Sequence, residues 1–72
     1  MTIIATITTR PYRPFPFLVR VPEGVLARTS TVDCAHIRTV DQSRLSGRPL
    51  ATLDDATMAR VDTALRISLG LD

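Results

Sequence analysis

Two short stretches hold the side chains best suited to chemistry. The first is Thr8-Thr9-Arg10, with Tyr12 and Arg13 just beyond it. The second runs Asp33-Cys34-Ala35-His36-Ile37-Arg38. A threonine hydroxyl can hydrogen-bond a phosphate oxygen. An arginine clamps phosphate with a planar fork of N–H donors, and a histidine carries protons near neutral pH. Arg10 and Arg13 around Tyr12 form a basic, aromatic-bearing loop of the kind that single-strand binders use for phosphates and base stacking. The plainer alternatives are an ordinary strand threonine at position 8, a solvated loop with one exposed ring, and a strand histidine satisfied by backbone. There is no Gly-rich phosphate loop, no paired Glu and no His/Cys metal spacing.

The elements that position these residues are legible in outline. Thr2 to Thr9 is rich in Thr and Ile, whose β-branched side chains suit a pleated strand. Arg10-Pro11-Tyr12-Arg13-Pro14 reads as a loop, because each proline lacks the N–H a sheet requires. Phe15 to Val21 alternates, with Phe15, Phe17, Val19 and Val21 on one face, as a half-buried strand should. Pro22-Glu23-Gly24 is a turn signal. Thr29 to Ile37 is a third strand, in which Val32, Cys34 and His36 share one face. Asp41 is placed to cap a single helical turn through Leu45. Leu50 to Leu53 reads as a short strand. Asp54 is a good N-cap for a helix in which Met58, Val61, Leu65 and Leu69 form the apolar stripe, ending near Gly70.

Composition bounds the answer. A chain of 72 residues is one domain or part of one, and domains near this size bury only about 60% of their unfolded surface. The 44% hydrophobic and 22% charged fractions fit a globular chain. The net charge is +2 and every basic residue is Arg. A charge this small does not by itself imply nucleic acid. One cysteine excludes an intramolecular disulfide and a cysteine metal quartet. Cys34 fits a buried small apolar residue better than a nucleophile. No stretch reaches the roughly 18 apolar residues of a membrane span, and Met1-Thr2-Ile3-Ile4 lacks a signal peptide's basic start. The expectation is a cytoplasmic protein with no membrane association.

The order of residues from Asp33 to Leu45 resembles the C-terminal signature of MazF/PemK/Kid-type toxins, small endoribonucleases of toxin–antitoxin systems. Ile7-Thr8-Thr9, then Arg10, then Pro16-Phe17-Leu18-Val19 resembles that family's strand pair. Pro22-Glu23-Gly24-Val25-Leu26 resembles its next turn, and Arg60 to Arg66 with Leu69-Gly70-Leu71 its terminal helix. The resemblance covers nearly all of the chain but only the latter part of the family domain.

It implies a mainly β fold with a C-terminal α-helix, a truncated SH3-like barrel of the MazF/CcdB-like toxin type. Residues 1–72 would be a partial toxin domain lacking the N-terminal strands. It implies a metal-independent, cofactor-free endoribonuclease acting on single-stranded RNA and leaving a 2′,3′-cyclic phosphate. Thr8 would be the catalytic residue, with Thr9, Arg10, His36 and Arg38 binding RNA. Partners would be a cognate MazE-like antitoxin, single-stranded RNA and a second copy in a homodimer. The departures are Thr9 for Ser, His36 for Gln, Ala35 for an Asp, and Asp33 for the Arg of Kid-like members. The family's phosphate-stabilising Arg would precede Met1. A strand starting at residue two points to a start codon further upstream, readable in the DNA ahead of Met1. The alternative is a catalytically inactive remnant that binds only an antitoxin or toxin subunit. A gyrase-directed toxin on the same fold follows from analogy alone.

Overall fold

The computed structural model describes residues 1–71. Its elements are β1 (Thr2–Thr8), β2 (Leu18–Arg20), β3 (Thr31–Val40), a 3-10 turn (Gln42–Arg44) and α1 (Asp55–Leu69). The three strands form one sheet in the order β1-β3-β2. Both pairings are antiparallel. β3 is therefore central, and β1 and β2 are edges. α1 packs across β3 and β2. The expected class, mainly β with a C-terminal helix, is the observed one. Among the described residues, no helix is long and apolar enough to cross a membrane.

β1 forms where its β-branched run predicts it. β2 is much shorter than the alternation over Phe15–Val21 suggests. Phe15 to Leu18 is a turn instead, closed by Leu18 N–H donating to the Phe15 carbonyl at 3.0 Å. Pro14 and Pro16 leave that segment too few donors for a ladder. The half-buried face survives only in part: Val19 and Val21 are buried, while Phe17 is half-buried and Phe15 exposed.

β3 is longer than expected and is interrupted. Its register against β1 steps from Ala5↔Ile37 to Thr6↔Asp33, so Cys34, Ala35 and His36 bulge out of the pairing. A bulge bends a strand and resets which side chains face the core. Val32 and Cys34 stay inside, but His36 does not share their face and is exposed. That corrects the simple alternation, which assumes one residue per partner along the whole strand.

The core is Val19, Val21, Val32, Cys34, Val61 and Ala64, with Ala5, Phe17, Val25, Leu26, Leu53 and Leu65 packed around it. Burying each valine contributes about 1.5–3 kcal/mol. Cys34 is 0% exposed, its Sγ 4.0 Å from the Val61 carbonyl oxygen. Burial pushes its thiol above the ordinary range, with the Asp33 charge adding to the effect. It is therefore packing material and not a nucleophile.

Asp54 caps α1 as expected, its Oδ1 accepting from Thr57 N–H at 2.8 Å. Gly70 ends the helix at φ 69°, donating its N–H to Arg66 and Ile67 carbonyls. A left-handed cap of this kind favours glycine. The buried stripe is Thr57, Val61 and Ala64; of the expected Met58, Val61, Leu65 and Leu69, Val61 is in the core and Leu65 packs against it, while Met58 and Leu69 do not. Met58 is 42% exposed and Leu69 53%. Two local expectations also fail. Leu50 is 92% exposed and residues 50–53 form no strand, though Leu53 reaches the core. Asp41 precedes a 3-10 turn, and its side chain makes no capping bond. The backbone closes that turn, Arg44 N–H donating to the Asp41 carbonyl at 2.9 Å.

Candidate functional site

Thr8 ends β1 beside the central strand, opposite Thr31. Just past it the chain turns, and Arg10 N–H donates to Thr8 Oγ1 at 3.1 Å. The hydroxyl oxygen is thus an acceptor for its own turn, which leaves the hydroxyl hydrogen free to reach outward. The turn also fixes where Arg10 begins.

Thr8 lies on the rim of two adjoining recesses. The larger, about 400 Å³, is lined by Thr8, Arg10, Pro11, Arg13, Phe15, Phe17, Leu18, Thr31 and Asp33. The smaller, about 270 Å³, is lined by Thr6, Ile7, Thr8, Arg10, Asp33 and His36. Thr8, Arg10 and Asp33 are common to both. Arg13 lines only the larger, and the single histidine of the chain lines only the smaller. Among the described residues, neither Arg10 nor Arg13 makes a salt bridge.

The aromatic component differs from the sequence reading. Tyr12, expected to stand with Arg10 and Arg13, instead lies under Arg20, whose guanidinium carbon is 5.0 Å from the ring centroid. It lines a separate recess against α1. Phe15 and Phe17 take its place beside the arginines. Their rings stack with centroids 5.3 Å apart and an interplanar angle of 7°. Their alternation with Val19 and Val21 marks them as core residues, and no sequence signal distinguishes them from core.

Asp33 opposes Thr6 on β1 and Leu18 on β2, immediately before the bulge. Its Oδ1 accepts from Ala35 N–H at 3.0 Å. Its Oδ2 lies 2.6 Å from His36 Nδ1. As a sequence feature Asp33 is only a departure from an expected Arg. The available signal is an Asp two residues before an N–H it can bind, the pattern of an Asx turn.

Thr8, Arg10 and His36 are thus brought together. Thr9 is exposed and lines neither recess. Arg38 is exposed and pairs with Ile4, four positions back along β1 from Thr8. Arg13, Phe15, Phe17 and Asp33 join the site. Among the described residues, no group of three or more His, Cys, Asp or Glu is placed to hold a metal ion.

One recess is thus lined by a strand-end hydroxyl, two guanidinium-bearing residues that make no salt bridge among the described residues, a stacked aromatic pair and the Asp33 carboxylate. The family described as PemK-like, MazF-like toxin of type II toxin-antitoxin system matches residues 1–69, and the chain belongs to that family. No curated protein matches it. Among solved structures it is similar to an endoribonuclease from Mycobacterial species, at 29% identity and a TM-score of 0.79, over 94% of this chain and 62% of that one. It is also similar to an endoribonuclease in complex with its cognate antitoxin from Mycobacterial species, at 30% identity and a TM-score of 0.81, over 97% of this chain and 65% of that one. The chain therefore spans a little under two thirds of the length of each of these relatives.

Proposed function

We propose that this protein is the toxin component of a type II toxin–antitoxin system and a metal-independent endoribonuclease that cleaves single-stranded RNA in the cytoplasm. The observation that carries this reading is the recess shared by Thr8, Arg10, Arg13, Phe15 and Phe17. The phosphate of one nucleotide meets the Thr8 hydroxyl and the two guanidinium groups. A neighbouring base lies against the exposed Phe15 ring, since every base has a face to stack. Thr9, His36 and Arg38 extend the contact along the strand. As the phosphorane forms, charge builds on its oxygens, and donors already aimed there stabilise it more than the ground state.

The antitoxin reading follows from the same recess. An acidic peptide would satisfy Arg10 and Arg13 in place of RNA, and one solved relative is described with its cognate antitoxin. A MazE-like antitoxin and a homodimer complete the proposed assembly. On this reading residues 1–72 are the rear portion of the toxin domain. The outer edge of β1 is paired with no strand among the described residues, which is where further strands would add.

The test is incubation of purified protein with a labelled single-stranded RNA pool. Cleavage to 2′,3′-cyclic phosphate ends is expected without added metal and in the presence of a chelator. Thr8→Ala should lower the rate by about 10²–10³-fold, the usual effect of removing one such donor. Intact RNA together with tight antitoxin binding favours the second reading, a non-catalytic binding remnant. The absence of a carboxylate at Ala35 supports that alternative.

A further inference from the structure

A carboxylate beside a phosphate-binding recess is unfavourable if it stands alone, because it repels the ligand. Asp33 does not stand alone. One oxygen is held by the Ala35 N–H at 3.0 Å and the other by His36 Nδ1 at 2.6 Å. Its side chain is 18% exposed, against 74% for the histidine ring. The carboxylate is therefore the less exposed partner, held edge-on to a ring that reaches solvent.

The β3 bulge makes this pair possible. In a regular strand, residues three apart lie roughly 10 Å from each other and on opposite faces. Here Cys34, Ala35 and His36 are all accommodated while β1 advances from Ala5 to Thr6. The detour folds His36 back onto Asp33, and the Asx contact to Ala35 N–H locks it.

The contact also selects a tautomer. An ionised carboxylate has lone pairs only, so a 2.6 Å approach to Nδ1 requires the hydrogen on Nδ1. The neutral ring then carries a free lone pair on Nε2, away from Asp33. His36 lines the same recess as Thr8 and Arg10.

We propose that Asp33 and His36 form a proton-transfer pair, with His36 as the general base of RNA cleavage and Asp33 as the residue that positions it. This rests on the ribonuclease reading above and extends it, since the resemblance assigns His36 only to binding and Asp33 to nothing. His36 Nε2 takes the proton of the ribose 2′-hydroxyl as O2′ bonds to phosphorus. The P–O5′ bond breaks, its electron pair going to O5′. The imidazolium then returns its proton through solvent to O5′. The products are a 2′,3′-cyclic phosphate and a free 5′-hydroxyl, with no net gain or loss of protons.

The experiment combines single-turnover cleavage of a short RNA with nitrogen-15 NMR of the ring. His36 is the sole histidine of the chain, so its resonances need no assignment. Wild type should show the Nδ1–H tautomer in its neutral form. Asp33→Asn keeps an oxygen for Ala35 N–H but presents an amide donor to Nδ1, so the ring should switch to Nε2–H. Both His36→Ala and Asp33→Asn should slow single-turnover cleavage at saturating RNA by about 10²–10⁴-fold, the range of a general base, and Asp33→Asn should do so with RNA affinity retained. Asp33→Glu should recover part of the rate. Circular dichroism checks that each variant is folded.

An Nε2–H tautomer in wild type overturns the pair. So does unchanged cleavage by folded His36→Ala or Asp33→Asn while Thr8→Ala is inactive, and in that case the ribonuclease reading stands. If wild type leaves RNA intact, the ribonuclease reading fails and the pair fails with it.

Discussion

The two halves of β3 are one strand in sequence and two environments in space. Thr31 to Asp33 is flanked by β1 and β2, and Thr31, Val32 and the following Cys34 are buried. Ile37 to Val40 pairs only with β1, and none of its residues is buried. Both halves are rich in β-branched residues, so propensity does not separate them. Coverage does. The first half has α1 over it and a neighbour on each side, while the second is one half of a two-stranded ribbon. The bulge lies at the boundary, and Asp33 and His36 face outward there. Packing rigidity on one side and solvent access on the other meet at the candidate site.

Substituting Cys34 with Asp tests that difference most severely. An ionised group with no partner would then sit at a position that is 0% exposed. A penalty of several kcal/mol is expected, enough to abolish cooperative thermal unfolding in a domain this small. Ile37→Thr, the matched change in the second half, removes an apolar group from a half-buried position. It should alter stability by no more than about 1 kcal/mol. Equal losses for the two variants would show that the halves are not distinct.

The thiol provides a milder probe. Because its ionisation is pushed upward by burial, Cys34 should resist thiol reagents in the native protein and react readily in denaturant. The sign follows from linkage. A raised folded value means stability is complete below the ordinary thiol range and falls as pH rises through the folded value. Fast labelling of the native state would mean that this half opens locally.

The smallest effect is expected at Asp54, outside the sheet. Its carboxylate is held below the usual range, first by its side-chain hydrogen bond to Thr57, with a backbone bond to Thr57 and the Arg60 charge assisting. A lowered folded value contributes stability above the ordinary carboxylate range, and that stability is lost as pH falls through the folded value. Asp54→Asn should therefore flatten the acid side of the melting-temperature profile slightly while leaving β3 unchanged. An unaltered acid limb would mean that the Asp54 charge, as distinct from its capping bond, carries no weight in the fold.

Much of this was legible in the chain. The Thr/Ile run of β1, the proline loop after it, the Asp54 cap and the Gly70 stop each act through neighbours a few residues away, and each was read correctly. That Thr8 and Arg10 stand close together was likewise legible, because strand end and loop start are local, and both line the same recesses. Some failures are local, such as the absent strand over residues 50–53 and the uncapped turn after Asp41, and others involve distant partners. Phe15 and Phe17 have a core pattern and lie at the recess. Tyr12 has the pattern of a binding residue and pairs with Arg20. Met58 fits the apolar stripe, yet Thr57 and Ala64 are the residues that meet the sheet.

By itself the sequence determined β1, the proline loop after it and the capped C-terminal helix, since backbone preference and capping chemistry are properties of short segments. Tertiary structure alone decided the bulge, and with it the meeting of Asp33 and His36. A strand's register is set by the partner it pairs with, and one shift in that pairing changes which side chains reach water.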